Sequence, residues 1–316
     1  MKPMPPRDHA RLSALAERAG IYAADAKAAC TLAVYRGDFD RFSAWCDEKA
    51  LSALPTQPMT VAMYLASLAD EGLKASTIER ALVGIGHAHR VARIDWRSGA
   101  PEIKNVVLGI RRRLGVAPAR KAPLMDTDLR ALVRHLDGDL AGHRDRAALT
   151  LGWFGAFRRS ELVALEVDDV AFTRDGLVIR VRQSKTDCHG AREVVGVPYA
   201  GDPSVCAVRS LRIWLDAAGI GEGPLFRAVR RGVAQPRALD GSAVMRVVKA
   251  AATRAGIDPA NLAAHSLRAG FATTAASKGK SLEAIMRQTR HRSERVARGY
   301  IRPVTVFADN AASGLG

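Results

Sequence analysis

Apolar side chains recur at helical spacing over most of the chain, and the clearest run follows residue 75. Ile78, Ala81, Leu82, Ile85, Ala88 and Ala92 fall on one face of a helix, as a 3.6-residue period requires. Ser76 and Glu79 precede that face at capping-box spacing, which would satisfy the open amides of the first turn. Arg80, Gly84 and His87 lie nearly opposite, with Arg90 at the margin, making a polar stripe with a small residue at its middle. Earlier residues predict helices over 25–48 and over 60–71, the latter with Thr60 as N-cap. A fourth helix, over 102–114, ends in Arg111, Arg112 and Arg113, which suit the negative end of a helix dipole.

The periodicity stops at 115–123, GVAPARKAP, where two prolines and a glycine leave little that can pack. This is the best linker in the chain, and it carries Arg120 and Lys121. Helices resume over 126–136 and 144–157. Residues 177–183 and 194–198 are rich in β-branched side chains and flank a turn-like 184–190, so they predict a β-hairpin. Five further helices follow, over 204–218, 242–255, 266–277, 282–289 and 293–300. The expected architecture is mainly α with a small β-sheet. An extension over 1–24 precedes a helical domain at 25–114, the linker, and a second domain at 124–316.

Charge sharpens this picture. The 316 residues hold 48 Lys and Arg against 32 Asp and Glu, a net +16 with 48% hydrophobic content. Residues 1–122 carry 19 basic and 12 acidic side chains, and the remainder carries 29 and 20. Both parts are therefore basic, which draws a protein to polyanions and suits one that encloses nucleic acid between two domains. The Arg80, Gly84, His87 and Arg90 stripe would then be a face for a DNA groove, although an ordinary solvated face fits the same spacing. The arginines at 111–113, with Arg120 and Lys121, are further candidates for phosphate contact.

Cys30, Cys46, Cys188 and Cys206 stand far apart with no zinc spacing, as in reduced cytoplasmic proteins. No apolar run approaches the roughly 20 residues of a membrane span. Residues 1–12 are polar and proline-broken, unlike a signal peptide. There is no GxxxxGK[ST] loop, no HExxH and no EF-hand loop. No metal or cofactor is expected, so any chemistry on phosphate must draw its positive charge from side chains.

Three short segments offer that charge and a nucleophile. Phe157-Arg158-Arg159-Ser160-Glu161-Leu162 closes a predicted helix, where an ion pair between Glu161 and Arg159 is the plain explanation. His265-Ser266-Leu267-Arg268 spaces His265 and Arg268 by three, so both can face one phosphate from a helical turn. His291 is followed nine residues later by Tyr300.

Taken in order, Arg158, Lys185 on the hairpin, His265-Ser266-Leu267-Arg268, His291 and Tyr300 resemble the signature of the tyrosine recombinases, the phage integrase family. The resemblance runs from about residue 25 to the C-terminus, and the first domain resembles the core-binding domain of the Cre-like members. It implies a DNA recombinase with a 3′-phosphotyrosine intermediate, independent of metal and ATP. Tyr300 would be the nucleophile, assisted by His265, with Arg158 and Arg268 on the phosphate. Lys185 would protonate the leaving oxygen, His291 would hydrogen-bond the phosphate, and Glu161 would support the geometry.

The resemblance further implies duplex DNA with inverted repeats as partner, and a tetramer on that DNA. Val304, Val306 and Phe307 would lie in a C-terminal segment that docks on a neighbouring protomer, unless the tail packs on its own domain. Phe157 and Arg290 depart from the family's pattern, which favours Leu or Met and Gly at those places. Arg290 either adds charge near the phosphate or alters a turn. Two other readings share much of this pattern: a type IB topoisomerase, with the same phosphotyrosine chemistry, and a DNA-binding regulator that has lost catalysis. No candidate reacting group is missing, which disfavours the latter.

Overall fold

The structure, a computed structural model, describes residues 27–115, 121–182 and 193–301, with a few helical positions between 12 and 22. The chain divides into two compact units between Ala119 and Arg120.

The first unit holds helices α1 (Ala29–Asp47), α2 (Pro58–Asp70), α3 (Ala75–Val91) and α4 (Pro101–Leu114). Their inward faces close over Phe42, Tyr64, Leu65, Ile78, Ile85 and Ile103. Burying an aliphatic or aromatic side chain contributes about 1.5–3 kcal/mol, so this cluster is the main apolar contribution holding the four helices together. Two caps differ from expectation. Pro58 opens α2 behind Gln57, because proline has no amide to lose in the first turn, and Thr60 is buried inside the helix. Ala75 opens α3 behind an extended Lys74 without any side-chain cap, while Glu79 pairs with Arg111 at 3.1 Å.

The stripe on α3 also lies elsewhere than the spacing suggests. Gly84 is buried against α1, where a Cβ would come within 2.9 Å of Asp38 Cβ and 3.1 Å of the Tyr35 carbonyl oxygen. Arg80 is held by Asp38 through two bonds of 2.8 and 2.9 Å, and the His87 ring lies 5.3 Å from that of Tyr35. The middle of the stripe therefore packs on α1, where the small residue permits close approach, while the Arg80 and Arg90 ends stay exposed. Arg90, Arg112 and Arg113 are exposed.

The second unit comprises helices α5 (Asp126–Arg134), α6 (Leu140–Phe154), α7 (Arg159–Val163), α8 (Ala207–Ala218), α9 (Gly241–Arg254), α10 (His265–Ser277), α11 (Leu282–Thr289) and α12 (Glu294–Ile301). Strands β1 (Val170–Phe172), β2 (Gly176–Val181) and β3 (Glu193–Pro198) form an antiparallel sheet in that order. The predicted hairpin is β2–β3, paired as Leu177 with Val197 and Ile179 with Val195, all four facing the core. A second pair, β4 (Arg227–Arg230) and β5 (Val233–Ala238), was not expected.

Two buried clusters meet along α6. One gathers Leu151, Phe157, Leu162, Ile179, Leu211 and Trp214, the other Leu124, Leu132, Leu149, Trp153, Val248 and Leu267. Past the linker, the Leu124 amide donates to the Ser266 carbonyl at 2.9 Å, and its carbonyl accepts from Trp153 Nε1. Gly270 permits this crossing, since a Cβ there would lie 1.6 Å from the Leu124 oxygen. Lys121 donates to the Ala260 carbonyl at 3.0 Å, fixing the end of the linker to the same region. Arg120 lies outside the described residues.

Candidate active site

Arg158 does not close a helix. The preceding helix ends at Phe154, and Ala156 takes a left-handed conformation with φ 46°, so the chain turns sharply before Arg158. Arg158 is then the extended N-cap of α7. Glu161, at the third helical position, reaches back to accept its backbone amide at 2.9 Å. The other carboxylate oxygen accepts from Arg158 Nη1 at 2.5 Å. The partner of Glu161 is thus Arg158, not Arg159, together with Arg290 Nη2 at 2.8 Å. Burial would push the buried Glu161 carboxyl up, but Arg290 and the contacts with Arg158 outweigh it and hold it below the usual range.

His265 and Arg268 share the first turn of α10. Arg268 is 1% exposed; its Nη1 donates to the Ala156 carbonyl at 2.7 Å, and its Nη2 has no partner. Burial, then the neighbouring charges of Arg158 and Arg290, press this guanidinium down to about 9, which leaves it protonated at neutral pH. A buried cation with an unanswered donor is a site short of one anion.

Tyr300 comes from α12, and its hydroxyl lies 2.6 Å from His265 Nε2. Desolvation first, then Arg268 and Arg158, hold His265 below its ordinary value. With the ring neutral, Nε2 is an acceptor for the Tyr300 hydroxyl in the tautomer that carries its proton on Nδ1. Thr273 Oγ1 on α10 shares its one proton between the Ala269 carbonyl at 2.8 Å and the Tyr300 carbonyl at 3.2 Å, which sets Tyr300 against the helix that carries His265.

His291 stacks on the Tyr300 ring with centroids 5.4 Å apart. Burial, followed by four nearby cationic or titratable groups beginning with Arg268, lowers its pKa to about 3. Its Nδ1 lies 2.8 Å from Thr289 Oγ1, which itself lies 2.7 Å from the Ile285 carbonyl. A hydroxyl has one proton, so Thr289 either donates to Ile285 and accepts from Nδ1–H or donates to Nδ1, according to the His291 tautomer. Gln288 fixes this corner by donating to the carbonyls of Phe154 and Gly196, both at 2.9 Å.

The structure thus brings together Arg158, Glu161, His265, Arg268, His291 and Tyr300 from the start of α7, the first turn of α10, the α11–α12 turn and the last turn of α12. Lys185 lies outside the described residues. Sequence reasoning left the part played by Arg290 open and did not single out Thr289 or Thr273. The signal for Arg290 was its place immediately after a predicted helix, where a left-handed residue is common. Among the described residues, no group of His, Cys, Asp and Glu is arranged to hold a metal ion.

The sequence profile described as "Phage integrase family" matches residues 124–305, more than half of the chain. The chain belongs to the phage integrase family. The "Integrase/recombinase xerD homolog" of Selenomonas ruminantium is 38% identical over 294 residues, covering 92% of this chain and 86% of that protein. This family member is therefore a recombinase of the tyrosine class, an enzyme of DNA strand transfer. Its fold is that of XerH site-specific recombinase in a post-cleavage complex with palindromic difH substrate, with a TM-score of 0.60 and 19% identity over 82% of this chain and 72% of the other. It is also that of lambda integrase in a tetramer bound to a Holliday junction, with a TM-score of 0.61 and 19% identity over 95% and 81%.

Proposed function

We propose that this integrase cuts and rejoins duplex DNA at inverted-repeat sites through a phosphotyrosine at Tyr300, acting as a tetramer in the cytoplasm. The observation that carries the reading is the Tyr300 hydroxyl, 2.6 Å from His265 Nε2 and beside the buried Arg268 with its unanswered Nη2.

The order of steps is the one the resemblance to the tyrosine recombinases implies, and the contacts of Tyr300, His265 and Arg268 support it. Tyr300 Oη attacks phosphorus and passes its proton to His265 Nε2. Arg158 and Arg268 hold the two non-bridging oxygens, whose negative charge grows in the transition state. The bond to the 5′ oxygen breaks, and that oxygen takes a proton from Lys185. The product is a 3′-phosphotyrosine and a free 5′-hydroxyl. His291 donates to the phosphate through Nε2–H in the tautomer whose Nδ1 accepts from the Thr289 hydroxyl. The ester keeps the phosphodiester's energy, so attack by a 5′-hydroxyl from a second duplex reseals the strand without ATP. The scheme needs no metal, because arginines carry the charge.

In the first unit Arg80, Arg90, Arg111, Arg112 and Arg113 of the predicted set are exposed; Arg80 is held by Asp38 and Arg111 by Glu79, so Arg90, Arg112 and Arg113 are the ones that would meet phosphates. An apolar recess of about 410 Å³ lies beside the site, lined by Trp153, Phe154, Pro198, Phe271 and Ile285. The stretch around Val304, Val306 and Phe307 lies outside the described residues.

The test is recovery of covalent protein–DNA adducts from expressing cells under denaturing detergent, without crosslinker, with the attached DNA sequenced. Wild type should yield adducts at a site with inverted repeats, and Tyr300→Phe none. Adducts scattered over the genome would favour relaxation by a topoisomerase. DNA binding without adducts in either protein would favour a regulator.

A further inference from the structure

Arg290 sits where the chain leaves α11, in the left-handed region at φ 54° and ψ 45°. Glycine takes that conformation freely, whereas a residue with a Cβ stays there only where its surroundings hold it. Here they do. The side chain turns inward until 6% of the residue is exposed, and its guanidinium lies 5.0 Å above the Phe157 ring. Nη1 donates to the Gly155 carbonyl at 3.1 Å and to the Gln288 carbonyl at 2.9 Å. Nη2 donates to the Ala156 carbonyl at 3.1 Å and to Glu161 Oε2 at 2.8 Å. Nε faces Glu193 Oε2 at 3.8 Å, at the start of the strand that leads out of the hairpin.

Both acceptors of Nη2 are shared. Glu161 takes Arg158 Nη1 on its other oxygen, and the Ala156 carbonyl takes Arg268 Nη1. One nitrogen of Arg290 is therefore joined, through a single acceptor each, to both guanidiniums of the reading above. With four of its five N–H donors committed to the protein, Arg290 has no fork left to offer a phosphate.

We propose that Arg290 is a positioning residue that fixes the separation of Arg158 and Arg268 without touching DNA. This rests on the phosphotyrosine reading, because it presumes that the two arginines hold the reacting phosphate. Phe157 belongs to the same device: its ring underlies the guanidinium, so the two departures from the family pattern are in contact with each other.

The consequence is a separation of binding from chemistry. Misplacing reacting groups by about 1 Å costs on the order of 10²-fold in rate. Single-turnover cleavage and equilibrium binding would be measured on a nicked duplex carrying the site recovered from wild-type adducts. Arg290→Gly, which suits the backbone, should slow cleavage by about 10²-fold while its Kd stays within about threefold of wild type. Arg290→Lys keeps the charge but lacks the fork, and should remain within about tenfold of Arg290→Gly. The double variant with Glu161→Gln should cleave no more slowly than the slower single variant, because both act on one network.

Wild-type cleavage by Arg290→Gly, with only a lower melting temperature, would reduce Arg290 to a structural residue and overturn the proposal. So would full rescue by lysine, which would mean that charge alone matters, or an equal fall in binding and cleavage, which would mean direct contact with DNA. Failure of wild type to form adducts on any DNA defeats the phosphotyrosine reading instead. A crystal structure of Arg290→Gly tests the geometry without DNA. The Arg158 and Arg268 guanidiniums should move by about 1 Å relative to each other, and an unmoved pair overturns the proposal.

Discussion

His265 meets the Tyr300 hydroxyl as a neutral ring, and its depressed pKa sets a pH dependence with a definite sign. In the proposed reaction the base works only when unprotonated, so adduct formation rises with pH through the pKa of His265. Desolvation, Arg268 and Arg158 place that pKa below 6.5. The second-order rate of adduct formation, which reports the free enzyme, should therefore pass its half-maximal value below about pH 6.5 and level off by about neutrality. A rate still climbing well above neutrality would contradict the assignment. Arg268→Ala removes one of the two phosphate cations and should slow cleavage by on the order of 10²–10³-fold, read by single-turnover kinetics. The groups around Tyr300 were legible because each lies in a short motif in a fixed order. The network of Arg290 was not, since it depends on a left-handed backbone and on carbonyls from a corner more than 130 residues away.

At the scale of elements, the second helical domain shows how far apolar periodicity reaches. It predicts α6 but runs on to residue 157, because the break falls at Ala156, a left-handed residue that is not glycine. The segment from Arg158 consequently begins a helix that was expected to have ended. The β4–β5 pair escaped for a different reason: arginines and small residues alternate with no buried face, so there was no period of two to read. The middle of the α3 stripe was not legible because Gly84 admits a second helix, and periodicity cannot distinguish a packed small residue from an exposed one. Arg80→Ala should therefore act on stability through Asp38, leaving the salt dependence of DNA binding nearly unchanged. Arg112→Ala with Arg113→Ala should reduce the log–log salt slope by about 2, one contact each. Gly270→Ala drives a methyl into the Leu124 carbonyl. The upper end of overpacking penalties, about 3 kcal/mol, predicts a melting point lower by roughly 6–12 °C, measured by thermal unfolding.

Over the whole molecule, the net +16 is spread across both units, so DNA affinity should be governed by counterion release. With six to ten phosphate contacts, binding should weaken by about 10³–10⁵-fold between 50 and 200 mM salt. A band-shift series checks this, and an affinity flat in salt would refute an electrostatic grip. One feature of the site also bears on how copies share the work. Tyr300 is already bonded to His265 of its own chain before any DNA arrives. Each subunit would then sever the strand its own arginines hold, and two crippled copies could not repair one another. Mixing Tyr300→Phe with Arg268→Ala should leave the assembly inert, whereas an enzyme that lent its tyrosine to a neighbour would recover half-sites of activity by complementation.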